Sequence, residues 1–240
     1  MWAPNLEGLE LDYANSLEVV FDPEGPKVDH IYQESAIFAR LKTLRVRNSD
    51  KLTYVWKNVP RGIQSFQNLR LLEVRECNNL TNLFSPSIAN LLVMLEQIKV
   101  LKCEKIQEIL AISREEEKEE KVLFYQVNLI LLEDLPNLKC FCNEANAFEW
   151  PSLQKMTIIR CPNLRTFVQA NLKTPELEGV YEDEEFKTRH WKGDLNATIE
   201  HIYKGKVWHT LTINTSLLGE FNTYVNIYIY IYFNIKICRN

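Results

Sequence analysis

Glycine is scarce in this chain, with only 7 in 240 residues. It contains neither a G-x-x-x-x-G-K-[ST] loop nor a G-x-G-x-x-G turn, so neither kind of phosphate cradle lies within these residues. Basic excess is missing as well. The formal charge is −4 and no basic stripe interrupts it, so nucleic-acid binding is not expected. His30, His190, His201 and His209 fall in no H-E-x-x-H pattern, and no serine sits in a Gly-x-Ser-x-Gly elbow, so neither catalysis nor a cofactor is expected.

Other absences concern location and metals. The opening MWAPNLEGLELDYANSLEVV has no basic segment leading into an apolar one, which predicts a cytoplasmic chain without a secretory leader. The longest strongly apolar stretch, Tyr224–Phe233, is too short to span a bilayer. The 6 cysteines are therefore expected as reduced thiols. Cys77, Cys103 and Cys161 lie 26 and 58 residues apart with no C-x-x-C pair, and Cys140-x-Cys142 is no better, so a metal site is not expected. The triplets at Asn79, Asn196 and Asn214 read as chance matches to the glycosylation pattern.

What is present is a repeat. Leu6, Leu9, Leu11, Ala14, Leu17 and Val20 are spaced 3, 2, 3, 3, 3. The same frame holds Leu41, Leu44, Val46, Ser49, Leu52 and Val55, then Leu69, Leu72, Val74, Cys77, Leu80 and Leu83. It returns as Leu95, Ile98, Val100, Cys103, Ile106 and Ile109, as Val127, Ile130, Leu132, Leu135, Leu138 and Phe141, and as Leu153, Met156, Ile158, Cys161, Leu164 and Phe167. Every exception to an aliphatic residue, Met or Phe falls in the fourth slot. Chance does not confine its exceptions to one slot. Successive copies start 35, 28, 26, 32 and 26 residues apart, near the leucine-rich-repeat period, and the longer gaps mean loop insertions.

Slots two and three alternate with polar residues, which predicts a short strand with one face inward. Such a strand is too short to stand alone. Parallel stacking at about 4.8 Å buries its inward side chains against those of its neighbours. Each buried Leu or Ile contributes on the order of 1.5–3 kcal/mol, which offsets much of the ordering entropy of a copy. The predicted fold is therefore α/β, a leucine-rich-repeat solenoid. It has a curved parallel sheet with one short strand per repeat, and loops and short helices on the convex side. In the fourth slot a small side chain fits beside the turning backbone, where a thiol can meet a carbonyl.

Side chains between the inward slots point to the concave face. The middle column reads Glu10, Arg45, Glu73, Lys99, Leu131, Thr157. One position after slot three reads Asp12, Arg47, Arg75, Leu101, Glu133, Ile159, and one before slot two reads Gly8, Thr43, Leu71, Gln97, Leu129, Lys155. Alternating signs from Glu10 to Lys99, and again through Glu76, Lys102, Asp134 and Arg160, predict cross-strand ion-pair ladders that aid register. The apolar cluster Leu101, Leu129, Leu131 and Ile159, rimmed by Lys99, Glu133 and Lys155, is a candidate contact site for a protein partner. The competing reading is a slipped frame in the fifth copy, where residues 129–132 are all apolar.

The solenoid is expected over residues 1–170, a linker and capping helix over 171–207, and a tail over 208–240. Asp194 is placed to cap a helix over Leu195–Tyr203, with Leu195, Ile199, Ile202 and Tyr203 on one face; Glu182–Glu185 reads as linker. The run REEEKEEK, Arg114–Lys121, reads as a solvated loop that could also dock within the molecule. In the tail, YVNIYIYIYFNIKICRN alternates bulky residues with no polar face, and is expected to be translated non-coding sequence without a packed place. The first copy lacks a polar cap, which predicts a fragment.

Several phrases carry a family resemblance: FQNLRLLEVRECNNLTNLFSPSIANLLVMLEQIKVLKCEKIQEIL, the acidic run above, LILLEDLPNLKCF, FEWPSLQKMTIIRCPNLRTF and HWKGDLNATIEHIYKGKV. Together, over roughly residues 1–207, they resemble the C-terminal leucine-rich-repeat region of plant coiled-coil-class nucleotide-binding leucine-rich-repeat disease-resistance proteins. The resemblance implies a sensor whose repeats recognise a pathogen effector, or a host protein the effector alters. It also implies packing on an intramolecular nucleotide-binding switch domain. The switch domain, its phosphate loop and the coiled coil do not occur in these residues, which again predicts a fragment, a truncated relative or a partial gene model. Two rivals are a substrate receptor of a ubiquitin ligase, which an F-box-like segment would favour, and an extracellular receptor ectodomain, which a leader and paired capping cysteines would favour.

Overall fold

A computed structural model describes residues 5–22, 38–57, 65–111, 122–143, 148–169, 172–183 and 185–205. Six five-residue strands carry slots two and three of the six copies. They are β1 (Gly8–Asp12), β3 (Thr43–Arg47), β5 (Leu71–Arg75), β6 (Gln97–Leu101), β8 (Leu129–Glu133) and β10 (Lys155–Ile159). Shorter strands lie between and after them: β2 (Val19–Phe21), β4 (Tyr54–Trp56), β7 (Val122–Leu123), β9 (Phe148–Glu149), β11 (Leu172–Lys173), β12 (Val180–Tyr181) and β13 (Arg189–His190). A single-turn helix, α1 (Pro86–Leu91), opens on proline. That residue suits a first helical turn, whose N–H groups have no intrahelical partner.

The six long strands form one parallel ladder, continued by β12 and closed by the antiparallel β13. Register is uniform. Slot two aligns Leu9, Leu44, Leu72, Ile98, Ile130 and Met156 in one row, and slot three aligns Leu11, Val46, Val74, Val100, Leu132 and Ile158 in the next. Insertions of different length between copies do not disturb this, because a one-residue slip would turn every inward side chain to water. All six slots of copies two to six are buried. Those of the first copy are half-buried, since among the described residues only β3 flanks β1.

The chain leaves each strand through a left-handed residue two places after slot three. These are Tyr13, Asn48, Glu76, Lys102, Asp134 and Arg160, with φ of 55°, 50°, 53°, 53°, 52° and 50°. None is glycine, and such a conformation costs on the order of 1–3 kcal/mol. Two hydrogen bonds offset it. The left-handed N–H donates to the last strand carbonyl of the next rung, as from Glu76 to Leu101 O (3.0 Å) and from Lys102 to Glu133 O (2.8 Å). The fourth-slot side chain then donates to the strand's own last carbonyl. Ser49 Oγ meets Arg47 O at 2.9 Å, Cys77 Sγ meets Arg75 O at 3.4 Å, Cys103 Sγ meets Leu101 O at 3.3 Å and Cys161 Sγ meets Ile159 O at 3.4 Å. In copies two, three, four and six the fourth slot is a small hydroxyl or thiol that closes this turn, whereas copies one and five place Ala14 and Leu135 there.

The return path has its own ladder. The asparagine before slot five donates to a backbone carbonyl one rung back: Asn79 to Asp50, Asn137 to Glu104 (2.7 Å) and Asn163 to Pro136 (2.6 Å). The phrases Asn-Asn-Leu and Pro-Asn-Leu thus encode a side-chain bond between rungs. Opposite the large sheet, β7, β9 and β11 form a three-stranded sheet and β2 pairs with β4. Between the layers, Trp150 stacks on Phe124 at 4.2 Å and meets Phe141 edge-on at 5.1 Å. A second aromatic group joins Phe21, Phe38, Trp56 and Phe66 near the other end.

After residue 170, where the sequence suggests linker and then helix, the structure adds a seventh rung. Leu177 and Val180 repeat slots one and two and are buried, and Val180 pairs with Met156. Of the expected linker at Glu182–Glu185, the described residues Glu182, Asp183 and Glu185 lie between β12 and β13. There Asp183 accepts from the N–H groups of Lys187 (2.9 Å) and Thr188 (2.7 Å). The expected helix, α2, spans 195–205, with Asp194 Oδ1 accepting from Ala197 N at 2.8 Å. Leu195, Ile199 and Ile202 are buried. Asn196 docks the helix on the sixth rung: its Oδ1 accepts from Phe167 N (2.8 Å) and its Nδ2 donates to Val168 O (2.9 Å). The acidic run Arg114–Lys121 and the tail 208–240 lie outside the described residues.

Candidate recognition face

The uniform register brings the expected outward columns together on one face of the large sheet. Its middle row runs Glu10, Arg45, Glu73, Lys99, Leu131, Thr157 and Tyr181. Ile130 and Leu132 are fully buried, so the fifth copy keeps the frame and Leu129 and Leu131 point outward, half-buried.

The face has two halves of different character. Over the first three rungs charges satisfy one another. Arg45 pairs with Glu10 and, at 3.4 Å, with Glu73. Arg47 brings Nε and Nη2 to one oxygen of Glu73, at 2.8 and 2.6 Å. The Glu73 hydrogen bond raises the Arg47 guanidinium further above its ordinary range. These arginines are only partly covered, so each pair stabilises modestly, by about 0–1 kcal/mol. Their geometric effect is to hold three strands in register.

Over rungs four to six, Leu101, Leu129 and Leu131 bring apolar side chains onto the face and a cleft of about 470 Å³ opens. Leu101, Leu129, Leu131 and Thr157 floor it, Arg75, Lys99 and Lys102 line one side, and Phe186 stands at the other. Leu101 and Ile159 are 9% and 7% exposed, so the contact area lies mostly on Leu129 and Leu131. Glu133 is 6% exposed and held by Arg160, whose Nη2 also meets Asp134 Oδ2 at 2.7 Å. The Arg160 hydrogen bond keeps the Asp134 carboxyl below its usual range and raises the guanidinium. Lys155 places its ammonium 5.1 Å from the centre of the Phe186 ring, and that ring meets Tyr181 edge-on at 5.1 Å.

Sequence reasoning did not find Phe186 as part of this face. It sits in an acid-rich stretch beyond the last full copy, and only the β12–β13 turn carries it over the sheet. Lys102 and Arg160 were visible as an alternating column. The approach of Lys102 to the cleft needed the left-handed turn, which neither Lys102 nor Arg160 announces by residue type.

The cysteines belong to the interior. Among the described residues, Cys77, Cys103, Cys140, Cys142 and Cys161 form no disulfide and are buried. Burial pushes the Cys77 thiol up to about 11, and those of Cys103 and Cys140 up to about 12. Among the described residues, no group of three or more His, Cys, Asp or Glu is placed to hold a metal ion, and no helix is long and apolar enough to cross a membrane.

Comparison with known proteins agrees with this architecture. The model of the family described as "Plant disease resistance protein RPS2-like, leucine-rich repeats" matches residues 2–104 and 90–175. A curated relative, "Probable disease resistance protein At4g27220" from Arabidopsis thaliana, is 33% identical over 109 residues. That alignment takes in 44% of this chain and 12% of the relative, so the chain spans a small part of the relative's length. No solved structure matches the chain.

Proposed function

Because this chain belongs to the RPS2-like leucine-rich-repeat family of plant disease resistance proteins, we propose that it is the recognition module of an intracellular, cytoplasmic immune receptor. In this reading it performs no catalysis. Its outer sheet face binds a pathogen effector or an effector-modified host protein. Elsewhere the repeats pack on the nucleotide-binding domain of the same receptor.

One observation carries the reading: the outward leucines of rungs four and five. The fold is built by the inward rows, to which β8 gives the fully buried Ile130 and Leu132. Leu129 and Leu131 add apolar surface on the opposite side of that strand, beside Leu101, where stability does not require it. Water penalises such a patch unless a partner covers it. A broad, rigid sheet face also suits a protein ligand better than a small substrate, which needs enclosure.

The test is a single outward substitution. In a plant carrying the native gene, Leu131→Glu is expected to abolish pathogen-triggered cell death while the protein accumulates normally. An undiminished response from a normally accumulating variant refutes the assignment of recognition to this face.

A further inference from the structure

The cleft has a charge that the chain as a whole does not. Arg75, Lys99 and Lys102 line it against a single carboxylate, Glu133, in a chain whose formal charge is −4; next to the lining, Lys155 reaches Phe186, Arg160 pairs with Glu133 and Asp134, and Glu76 pairs with Arg75. The carboxylates are already engaged. Glu76 lies 3.3 Å from Arg75 and 3.5 Å from Lys102, and one acid shared by two cations satisfies neither fully. Glu133 and Asp134 both face Arg160. Lys99, midway along the middle row, has no carboxylate within 4.0 Å among the described residues.

Resting on the recognition reading above, we infer that the segment seated in this cleft is an acidic peptide stretch of the protein partner, with an aliphatic or aromatic anchor. The anchor packs on Leu129 and Leu131 with Phe186 as its side wall, and the carboxylates meet Lys99, Arg75 and Lys102. The rungs set the spacing. Lys99 and Leu131 are cross-strand neighbours, about 4.8 Å apart across a parallel ladder, and an extended peptide advances about 3.3 Å per residue. A carboxylate therefore falls one or two residues from the anchor. Nucleic acid fits less well, because the floor is aliphatic and offers no stacking platform.

The experiment selects a displayed library of random dodecapeptides on the full chain, counter-selects on Leu131→Arg, and measures salt dependence for the selected peptides. Expected are Leu131-dependent peptides with Asp or Glu one or two residues from Leu, Ile or Phe. Their affinity falls with salt and drops about fivefold on Lys99→Glu. Leu131-dependent peptides with neutral or basic flanks overturn the acidic partner but leave the face as a recognition surface. A selection that yields no Leu131-dependent peptide overturns both. Should Leu131→Arg fail to fold, salt-independent binding of the wild-type selections, unchanged by Lys99→Glu, overturns the proposal equally.

Discussion

Removing Arg160 separates what is buried in this face from what is only on its surface. Arg160 holds two carboxylates of the preceding rung: Glu133, whose side chain is 8% exposed, and Asp134, whose side chain is 30% exposed. A fully buried pair broken on one side costs about 3–5 kcal/mol, and an exposed pair about 0–1 kcal/mol. Here the acid is enclosed and the guanidinium is 58% exposed, so solvent already screens half of the interaction. Arg160→Ala is therefore expected to cost about 2 kcal/mol, most of it from stranding Glu133 without a counter-charge. Glu133→Gln on that background removes the stranded charge and is expected to return about half of the loss.

Urea unfolding read by tryptophan fluorescence, to which the fully buried Trp150 contributes, gives the comparison at constant slope. The pH dependence has a definite sign. Arg160 depresses the folded-state pKa of Asp134, so its contribution is complete above the unfolded value, about 3.9, and is lost as pH falls through the folded one. The gap between wild type and Arg160→Ala should narrow below about pH 4 and not above it. An Arg160→Ala variant as stable as wild type at pH 7, or a double variant weaker than the single one, would refute the burial argument.

Two further outcomes follow from the interior. Cys77, Cys103 and Cys140, raised to about 11, 12 and 12 by burial, should resist maleimide at pH 7.5 in the folded chain and label rapidly in urea, read peptide by peptide by mass spectrometry; labelling of the folded protein contradicts the packing of the fourth slot at Cys77 and Cys103, and of the return path at Cys140. Asn196→Ala should destabilise α2 by about 1–2 kcal/mol and raise hydrogen exchange at Phe167 and Val168, whose amides Asn196 accepts; unchanged exchange there would mean that the helix docks by its apolar face alone.

How much of this was legible beforehand depends on where side-chain periodicity speaks. The six copies, their strands and the outward columns were readable because inward and outward residues alternate, and burial punishes any other frame. The ion-pair ladder from Glu10 to Glu73 and the helix capped by Asp194 were readable for the same local reasons. The seventh rung was not. Leu177 and Val180 begin the pattern, but Glu182 occupies slot three and the strand is two residues long. The left-handed turns were hidden because Tyr13, Glu76, Lys102 and Arg160 occupy four of the six positions, and only Asn48 and Asp134 are of the types that usually give the signal. The asparagine ladder was in view as a recurring phrase, yet its meaning required knowing which carbonyl sits one rung away.

The common register of the sheet has a consequence for how such a face changes over time. Along each five-residue strand, the second and fourth letters anchor the stack and the first, third and fifth meet the outside world, with no shared atoms between the two sets beyond the backbone. On the proposed recognition reading, replacing Lys99 or Leu131 alters what the face grips and leaves the inward rows intact, whereas Ile98 or Leu132 is answerable to its neighbours above and below. A surface organised in this way can explore new specificities one side chain at a time while the scaffold stays still.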